Sequence, residues 1–137
     1  MNITSALQIQ HRHCDQALAQ AESAARSGQW ADCFAATQAF CQQTEAHFML
    51  EENDLFPAFE AATGMRNGPT QVMRGEHAQA RELMQGLQEA ATNQDTDDFT
   101  GCAETLLLLL QQHNMKEENI LYPMCDRAIP DFAAQLE

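Results

Sequence analysis

The chain of 137 residues contains 20 aspartates and glutamates against seven lysines and arginines, which gives a formal net charge of −13. This balance excludes nucleic acid and anionic membranes as expected partners, because both require a basic surface. The five cysteines form no CxxC pair, as is typical of free thiols in a reducing compartment. The start, MNITSALQIQ, predicts no secretory signal, and no apolar run approaches the ~20 residues that cross a bilayer. We therefore expect a cytoplasmic protein.

Turn-forming residues divide the chain into four long segments. The breaks fall at residues 27–29, 63–69 and 92–98. The segments between them are rich in Ala, Leu, Gln, Glu and Met, which favour helix, and poor in β-branched residues. Pro69 suits a first helical turn, and residues 95–98 supply caps for the last helix. The sequence predicts an all-α, up-down-up-down antiparallel four-helix bundle that forms a single domain over residues 1–137.

Each predicted helix carries an apolar stripe that a histidine interrupts. Residues three and four apart share a face of a helix, so each stripe points to the interior. The stripes are Leu7, His11, Cys14, Leu18 and Ala21; Phe40, Thr44, His47, Glu51 and Leu55; Met73, His77, Ala80, Met84 and Leu87; and Cys102, Leu106, Leu109 or Leu110, His113, Glu117 and Leu121 or Ile120. In the second and fourth stripes a glutamate follows the histidine by one turn.

An internal repeat relates these stripes in pairs. HFMLEENDLFP at 47–57 and HNMKEENILYP at 113–123 are near copies that lie 66 residues apart. The same offset pairs His77 with His11, and it divides the chain into halves of about 1–65 and 66–137. His13 lies about 200° around the helix from His11 and does not match the offset, so we expect His13 at the surface.

Six inward residues at matched offsets predict a metal site. They are His11, His47, Glu51, His77, His113 and Glu117. Buried imidazoles and carboxylates are costly unless they are paired or coordinated, and two divalent cations would satisfy them. The i, i+4 spacing puts a nitrogen and an oxygen ligand on one face of a helix. Mixed nitrogen and oxygen donors without thiolate suit non-haem iron, with manganese or zinc as substitutes.

The same residues carry a family resemblance over essentially the whole length of the chain. The segments QHRHCD, HFMLEENDLFP, GEHAQAR and HNMKEENILYP are similar to those of hemerythrin-like domains, which are also called HHE cation-binding domains. The resemblance implies a four-helix bundle that encloses two iron ions in a carboxylate-bridged, oxo- or hydroxo-bridged centre. Glu51 and Glu117 would be the bridges and the four histidines the terminal ligands.

The chain also departs from the pattern of the oxygen-carrying members that it resembles. Those proteins have a fifth histidine one turn from His77, where this chain has Met73 and Arg81. They place the last carboxylate at the position of Glu118, whereas the internal repeat favours Glu117. The resemblance thus leaves a vacancy at one metal, to be left open or filled by water, a second carboxylate or Tyr122.

Other residues near the repeat carry smaller expectations. Glu52 and Glu118 are interpreted as solvated residues that at most orient a ligand imidazole. Met49 and Met115 are expected to make core or helix contacts, and Cys14 is expected to be an apolar filler rather than a ligand. Pro57 and Pro123 should each kink or end a helix.

Two functions fit the predicted centre. In the first, it binds or senses dioxygen, nitric oxide or redox state, and a sensor would need a separate partner protein that the sequence does not identify. In the second, the protein is an iron-handling or redox enzyme that oxidises Fe(II), consumes peroxide or supplies iron for repair. A third, structural hypothesis is a bundle whose polar stripes form only a hydrogen-bonded network.

Overall fold

The protein is helical throughout in the computed structural model, which describes residues 1–137. The elements are α1 (Ile3–Arg26), α2 (Trp30–Leu50), a π-helical turn (Glu51–Leu55), α3 (Phe56–Thr63), α4 (Pro69–Thr92), α5 (Thr96–Lys116), a second π-helical turn (Glu117–Leu121), α6 (Tyr122–Ala128) and a 3-10 helix (Pro130–Leu136). No strand is present, so the all-α prediction is confirmed. None of the helices combines the length and apolar character that a membrane-spanning segment requires.

The four long helices contact each other in a closed ring. Helix α1 packs against α2 and α5, and α4 packs against the same two helices. One face of each long helix therefore faces a common interior. The assignment of the whole chain to one domain stays a prediction.

The predicted breaks coincide with the helix ends. Gly28 and Gly64 adopt the left-handed conformation, with φ of 71° and 75°, which glycine reaches without steric cost. Helix α4 begins at Pro69, and the Asp95 carboxylate accepts a hydrogen bond from the backbone N–H of Asp98 at the start of α5. Both capping predictions are confirmed.

Of the two outcomes expected for Pro57 and Pro123, a kink or an end of the helix, the end does not occur. The chain continues as helix to Thr63 after the first proline and to Ala128 after the second. In each case the residue before the proline donates its N–H to a carbonyl five residues back, from Phe56 to Glu51 and from Tyr122 to Glu117. This wider winding inserts one residue ahead of the proline and lets the helix pass.

The interior consists of two apolar clusters with a polar layer between them. On α1 the first cluster includes Ile3 and Leu7, and the second begins at Cys14. On α4 Met73 belongs to the first cluster and Ala80 to the second. The histidines between these positions are buried as well, at 4% exposure for His11 and 0% for His77. The polar layer is therefore sealed by hydrocarbon at both ends.

The inward stripes are confirmed with one exception. Every predicted stripe residue is buried apart from Cys102, which is half-buried while the neighbouring Ala103 is fully buried. At the two alternatives the structure selects Leu110 and Leu121. His13 is exposed, as predicted. The five cysteines are free thiols.

Of the core or helix contacts expected for Met49 and Met115, the core contacts do not occur, whereas Met49 Sδ contacts Asn53 Nδ2 one turn along the helix at 4.0 Å. The exposures of the two methionines are 47% and 61%. Each residue follows an inward histidine by two positions, which is about 200° around the helix, so the side chain faces outward.

Asp126 of α6 caps the first turn of α1 from a distant part of the chain. Its carboxylate accepts hydrogen bonds from the Ile3 N–H at 2.8 Å and from the Thr4 hydroxyl at 2.6 Å. We expect Asp126→Ala to lower the free energy of unfolding by about 1–3 kcal/mol, because charge-assisted bonds to otherwise unpaired helix donors are lost. Urea denaturation measures the change. The exposed Asp97→Ala serves as control, and an equal loss in both variants would contradict this role.

Candidate metal centre

The structure brings all six predicted residues together in the polar layer. Their exposures are 4% for His11, 5% for His47, 2% for His113 and 0% for Glu51, His77 and Glu117. Their potential ligand atoms form two groups, each within 4.8 Å: Glu51, His77, His113 and Glu117 in one, and His11, His47 and Glu117 in the other. The first histidine pair lies on α4 and α5, and the second lies on α1 and α2. The cluster therefore has two ends, each with two histidines.

Each glutamate lies between the two ends. Glu51 Oε1 is 3.4 Å from His47 Nε2 and 3.1 Å from His77 Nε2. Glu117 Oε1 is 3.1 Å from His11 Nε2 and 3.2 Å from His113 Nε2. Each carboxylate thus contacts one imidazole from each half of the repeat, which is the position that a bridging ligand needs.

The outer nitrogen of every imidazole is held by an oxygen that can only accept a hydrogen. The Nδ1 contacts are His11 to Glu118 at 2.7 Å, His47 to Gln10 at 2.8 Å, His77 to Glu52 at 2.6 Å, and His113 to Glu76 at 2.9 Å. Each Nδ1 therefore donates its hydrogen, and each Nε2 presents a lone pair to the interior. This is the tautomer that ligates metals.

Sequence reasoning found half of these outer partners. Glu52 and Glu118 were expected to be solvated and at most to orient an imidazole, and both do orient one. Gln10 and Glu76 were not predicted. A signal was present, because each directly precedes an inward histidine and the two lie 66 residues apart. Gln10 is a neutral amide and Glu76 is a carboxylate that also pairs with Lys116. The repeat is therefore broken in the residues that surround the cluster.

The neighbouring glutamates Glu117 and Glu118 lie on different sides of His11. Glu117 is fully buried inside the cluster, whereas the side chain of Glu118 is 22% exposed and contacts the outer nitrogen. The structure thus places the carboxylate that the repeat favoured among the inward atoms. Cys14 is buried but belongs to neither group of potential ligands.

Neither residue at the missing fifth histidine position reaches the cluster as a donor. Met73 packs in the apolar cluster that also holds Leu7. Arg81 forms ion pairs with Glu45 and Glu52 at 2.9 Å and lies over the Phe48 ring, 5.4 Å from its centroid. Arg81 therefore acts on the cluster through Glu52 and Phe48, which both contact His77.

Several buried atoms of the cluster lack a hydrogen-bond partner. They are Glu51 Oε1, His77 Nε2, His113 Nε2 and Glu117 Oε2. His77 Nε2 and Glu51 Oε1 are 3.1 Å apart, but neither atom makes a hydrogen bond. Unpaired polar atoms at this depth cost several kcal/mol. A divalent cation between them would remove the cost, so the residues present fit a metal.

Burial and neighbouring charges shift the protonation of the cluster in different directions. Burial lowers the pKa of His47 to about 3 and that of His77 to about 4, so both imidazoles are neutral near pH 7. Although burial opposes it, the charge of Glu117 raises the pKa of His113. Burial, together with the charge of Glu117, raises the pKa of Glu51 well above its ordinary value. Burial opposes ionisation of Glu117 as well, but the hydrogen bond with Glu51 and the nearby His113 hold the pKa of Glu117 well below its ordinary value. The glutamate pair therefore keeps a proton.

Comparisons with known proteins agree with this cluster. The model of the hemerythrin HHE cation binding domain family matches residues 2–125. An iron-sulfur cluster repair protein YtfE from Edwardsiella ictaluri is 34% identical over 100 residues, which cover 66% of this chain and 43% of the relative. The YtfE proteins of Escherichia coli O81 and Escherichia fergusonii are 32% and 30% identical over 92 residues, or 60% of this chain and 41% of theirs. The matched part thus spans less than half of these relatives. No solved structure gave a significant match.

Proposed function

We infer, because this chain belongs to the hemerythrin HHE cation-binding domain family, that its buried histidines and glutamates hold a non-haem di-iron centre. His77 and His113 would bind one ion and His11 and His47 the other, with Glu51 and Glu117 as bridges. The ring of contacts among the long helices supports an up-down-up-down bundle as its frame. Manganese or zinc would fit the same donors. The five free cysteines support a reducing compartment, such as the cytoplasm.

The observation that carries this proposal is the set of unpaired buried atoms. Two imidazole nitrogens and two carboxylate oxygens are buried in the cluster without a hydrogen-bond partner. A structural network of hydrogen bonds, the third hypothesis from the sequence, does not account for four such atoms in one cluster at 0–2% exposure. A cation explains them at once.

We propose that the centre binds or senses a small ligand such as dioxygen or nitric oxide. When bound, two iron ions supply open coordination positions and one-electron redox chemistry. The protein fixes the imidazoles through hydrogen bonds to their outer nitrogens. It holds one proton between the carboxylates of Glu51 and Glu117. The two apolar clusters exclude bulk water from the polar layer. A groove of ≈ 630 Å³ between α1 and α2 is lined by Gln10, Cys14 and His47, so it reaches one histidine of the cluster.

Iron handling is the second candidate function, and the names of the relatives favour it. YtfE proteins are described as iron-sulfur cluster repair proteins. Supply of iron for such repair would need an ion that leaves the site readily. The end that contains His47 is the candidate, because its outer partner is a neutral amide and the groove reaches that histidine.

Mixing the reduced, iron-loaded protein with oxygen separates the two functions. A spectral change that reverses when oxygen is removed supports ligand binding. Continuous consumption of Fe(II) or peroxide, or transfer of iron to a metal-free acceptor, supports iron handling. We expect slow oxidation that does not reverse, because the fifth histidine of the oxygen carriers is absent.

Metal binding should release protons. The Glu51 and Glu117 pair keeps a proton in the metal-free protein, and this proton must leave when both carboxylates become ligands. Zinc titration by calorimetry in buffers of different ionisation enthalpy should show at least about one proton released per chain at pH 7. The apparent affinity should therefore rise as pH increases. Binding heats that do not depend on the buffer would contradict the shared proton.

The difference between Gln10 and Glu76 should make the two ends unequal. A carboxylate partner increases the basicity of a ligand imidazole more than an amide does. We expect Gln10→Glu to strengthen binding at the end that contains His47, and Glu76→Gln to weaken the other end, each by about 10-fold. Competition with a zinc indicator measures both affinities. If either variant changed the metal affinity of both ends equally, the outer partners would not act locally.

A further inference from the structure

Tyr122 is the only tyrosine of the chain, and its hydroxyl lies inside the cluster. The residue follows the second π-helical turn and is fully buried. Its Oη lies 2.6 Å from Glu51 Oε2, 2.9 Å from Glu117 Oε1, 3.1 Å from His11 Nε2 and 3.3 Å from His47 Nε2. One hydroxyl therefore touches both glutamates and both histidines of one end.

These distances match the spacing of neighbouring ligands around a single ion. With metal–ligand bonds of about 2.1 Å, adjacent corners of an octahedron lie about 3 Å apart. His11 Nε2 and His47 Nε2 are themselves 3.1 Å apart. The distances from the hydroxyl oxygen to four other donor atoms are thus those expected for an additional ligand at this end.

The other end lacks an equivalent oxygen. The repeat pairs Tyr122 with Phe56, whose ring packs against His77 with centroids 5.9 Å apart. There, His77 Nε2 and His113 Nε2 remain without partners, whereas His11 Nε2 and His47 Nε2 contact the hydroxyl. The sequence therefore adds one oxygen donor, and only at one end.

We propose that Tyr122 Oη is a ligand of the ion held by His11 and His47, at the end opposite the missing fifth histidine, whose position is one turn from His77. The inference rests on the proposed metal centre. The bond that forms joins Oη to the metal, the hydroxyl O–H bond breaks, and its proton is released to solvent. A cation favours the phenolate in the same way as it deprotonates other coordinating groups.

Spectroscopy tests this assignment on the whole protein. Because the chain has a single tyrosine, any phenolate signal belongs to Tyr122. We expect the ferric protein to show a visible phenolate-to-iron charge-transfer band, with phenolate ring modes in its resonance Raman spectrum. We expect zinc to give the near-ultraviolet difference spectrum of tyrosine ionisation.

Tyr122→Phe is the matched variant, because it places at 122 the residue that the repeat has at 56. The variant should retain both metals, lose the band completely and release fewer protons on zinc binding. Phe56→Leu should keep the band. Bound metals without a phenolate signal in the natural protein would overturn the ligand assignment and leave the metal centre standing. Absence of bound metal would overturn both.

Discussion

A chain that carries both Glu51→Ala and Glu117→Ala is expected to bind neither ion. Each carboxylate contacts an imidazole from both ends of the cluster, so its loss removes charge and a bridge from both ions. The four remaining imidazoles are neutral donors and cannot offset the charge of two divalent cations. Elemental analysis of the purified variant measures the effect. Retention of both metals would contradict the bridging role.

The next residue along the chain supplies the matched control. Glu52→Ala with Glu118→Ala removes the same number of carboxylates from the outer side of His77 and His11. This pair should retain both metals with affinity lower by about 10–100-fold, the usual cost of losing an outer hydrogen bond. In the presence of chelator, the Glu51 and Glu117 double variant should still fold, with a lower free energy of unfolding, because truncation leaves a cavity and removes the hydrogen-bond acceptors of Tyr122. A variant that does not fold would show that the carboxylates are structural.

Metal should stabilise the folded protein strongly. Binding to the folded state alone adds about 2.7 kcal/mol when free metal is at about 100 times Kd. For a chain of this size such a gain raises Tm by roughly 10 °C. Differential scanning calorimetry of the chelator-treated protein, before and after iron(II) or zinc is added, measures the shift.

Two comparisons make the stability result specific. Calcium prefers six to eight oxygen ligands, so the four imidazoles should make its effect much smaller than that of zinc. The Glu51 and Glu117 double variant should show no increase with any of the metals. An equal increase in that variant would mean that the metal binds elsewhere on the acidic surface.

The residues of the cluster were readable from sequence because two periods coincide. The helical period of His47 and Glu51 put both on one face, and the 66-residue offset repeated the pair as His113 and Glu117. The same offset selected His11 over the exposed His13. The helix boundaries followed from Gly28, Gly64, Pro69 and Asp95, whose backbone preferences act locally.

Other features depend on contacts between distant residues and could not be read from local pattern. Glu118 belongs to the second half of the repeat but orients His11 in the first, and Glu52 orients His77 in the reverse direction. These pairings appear only once α1 packs beside α5 and α2 beside α4. The π-helical turns were missed because proline normally signals a break, and nothing in EENDLFP or EENILYP marks the extra residue.

The ligand set is nearly symmetric, but its surroundings are not. At the two positions that the repeat pairs as 10 and 76, the chain has the amide of Gln10 and the carboxylate of Glu76. At the positions paired as 56 and 122, it has Phe56 and Tyr122, which differ by one hydroxyl. The amide and the hydroxyl both lie at the end that contains His11 and His47, the same end that the groove reaches. The two proposed metal positions therefore have different surroundings, which suits a centre where a ligand or an iron ion is exchanged at one position.

The metal content of the protein purified from iron-rich medium tests the central claim most directly. Elemental analysis with an accurate protein concentration should give about two metal ions per chain, mainly iron, as expected for a two-metal carboxylate site. Removal by chelator should lower Tm, and added iron should restore it. A value near zero metals per chain, with a Tm that chelator does not change, would contradict the account and leave a purely structural polar layer.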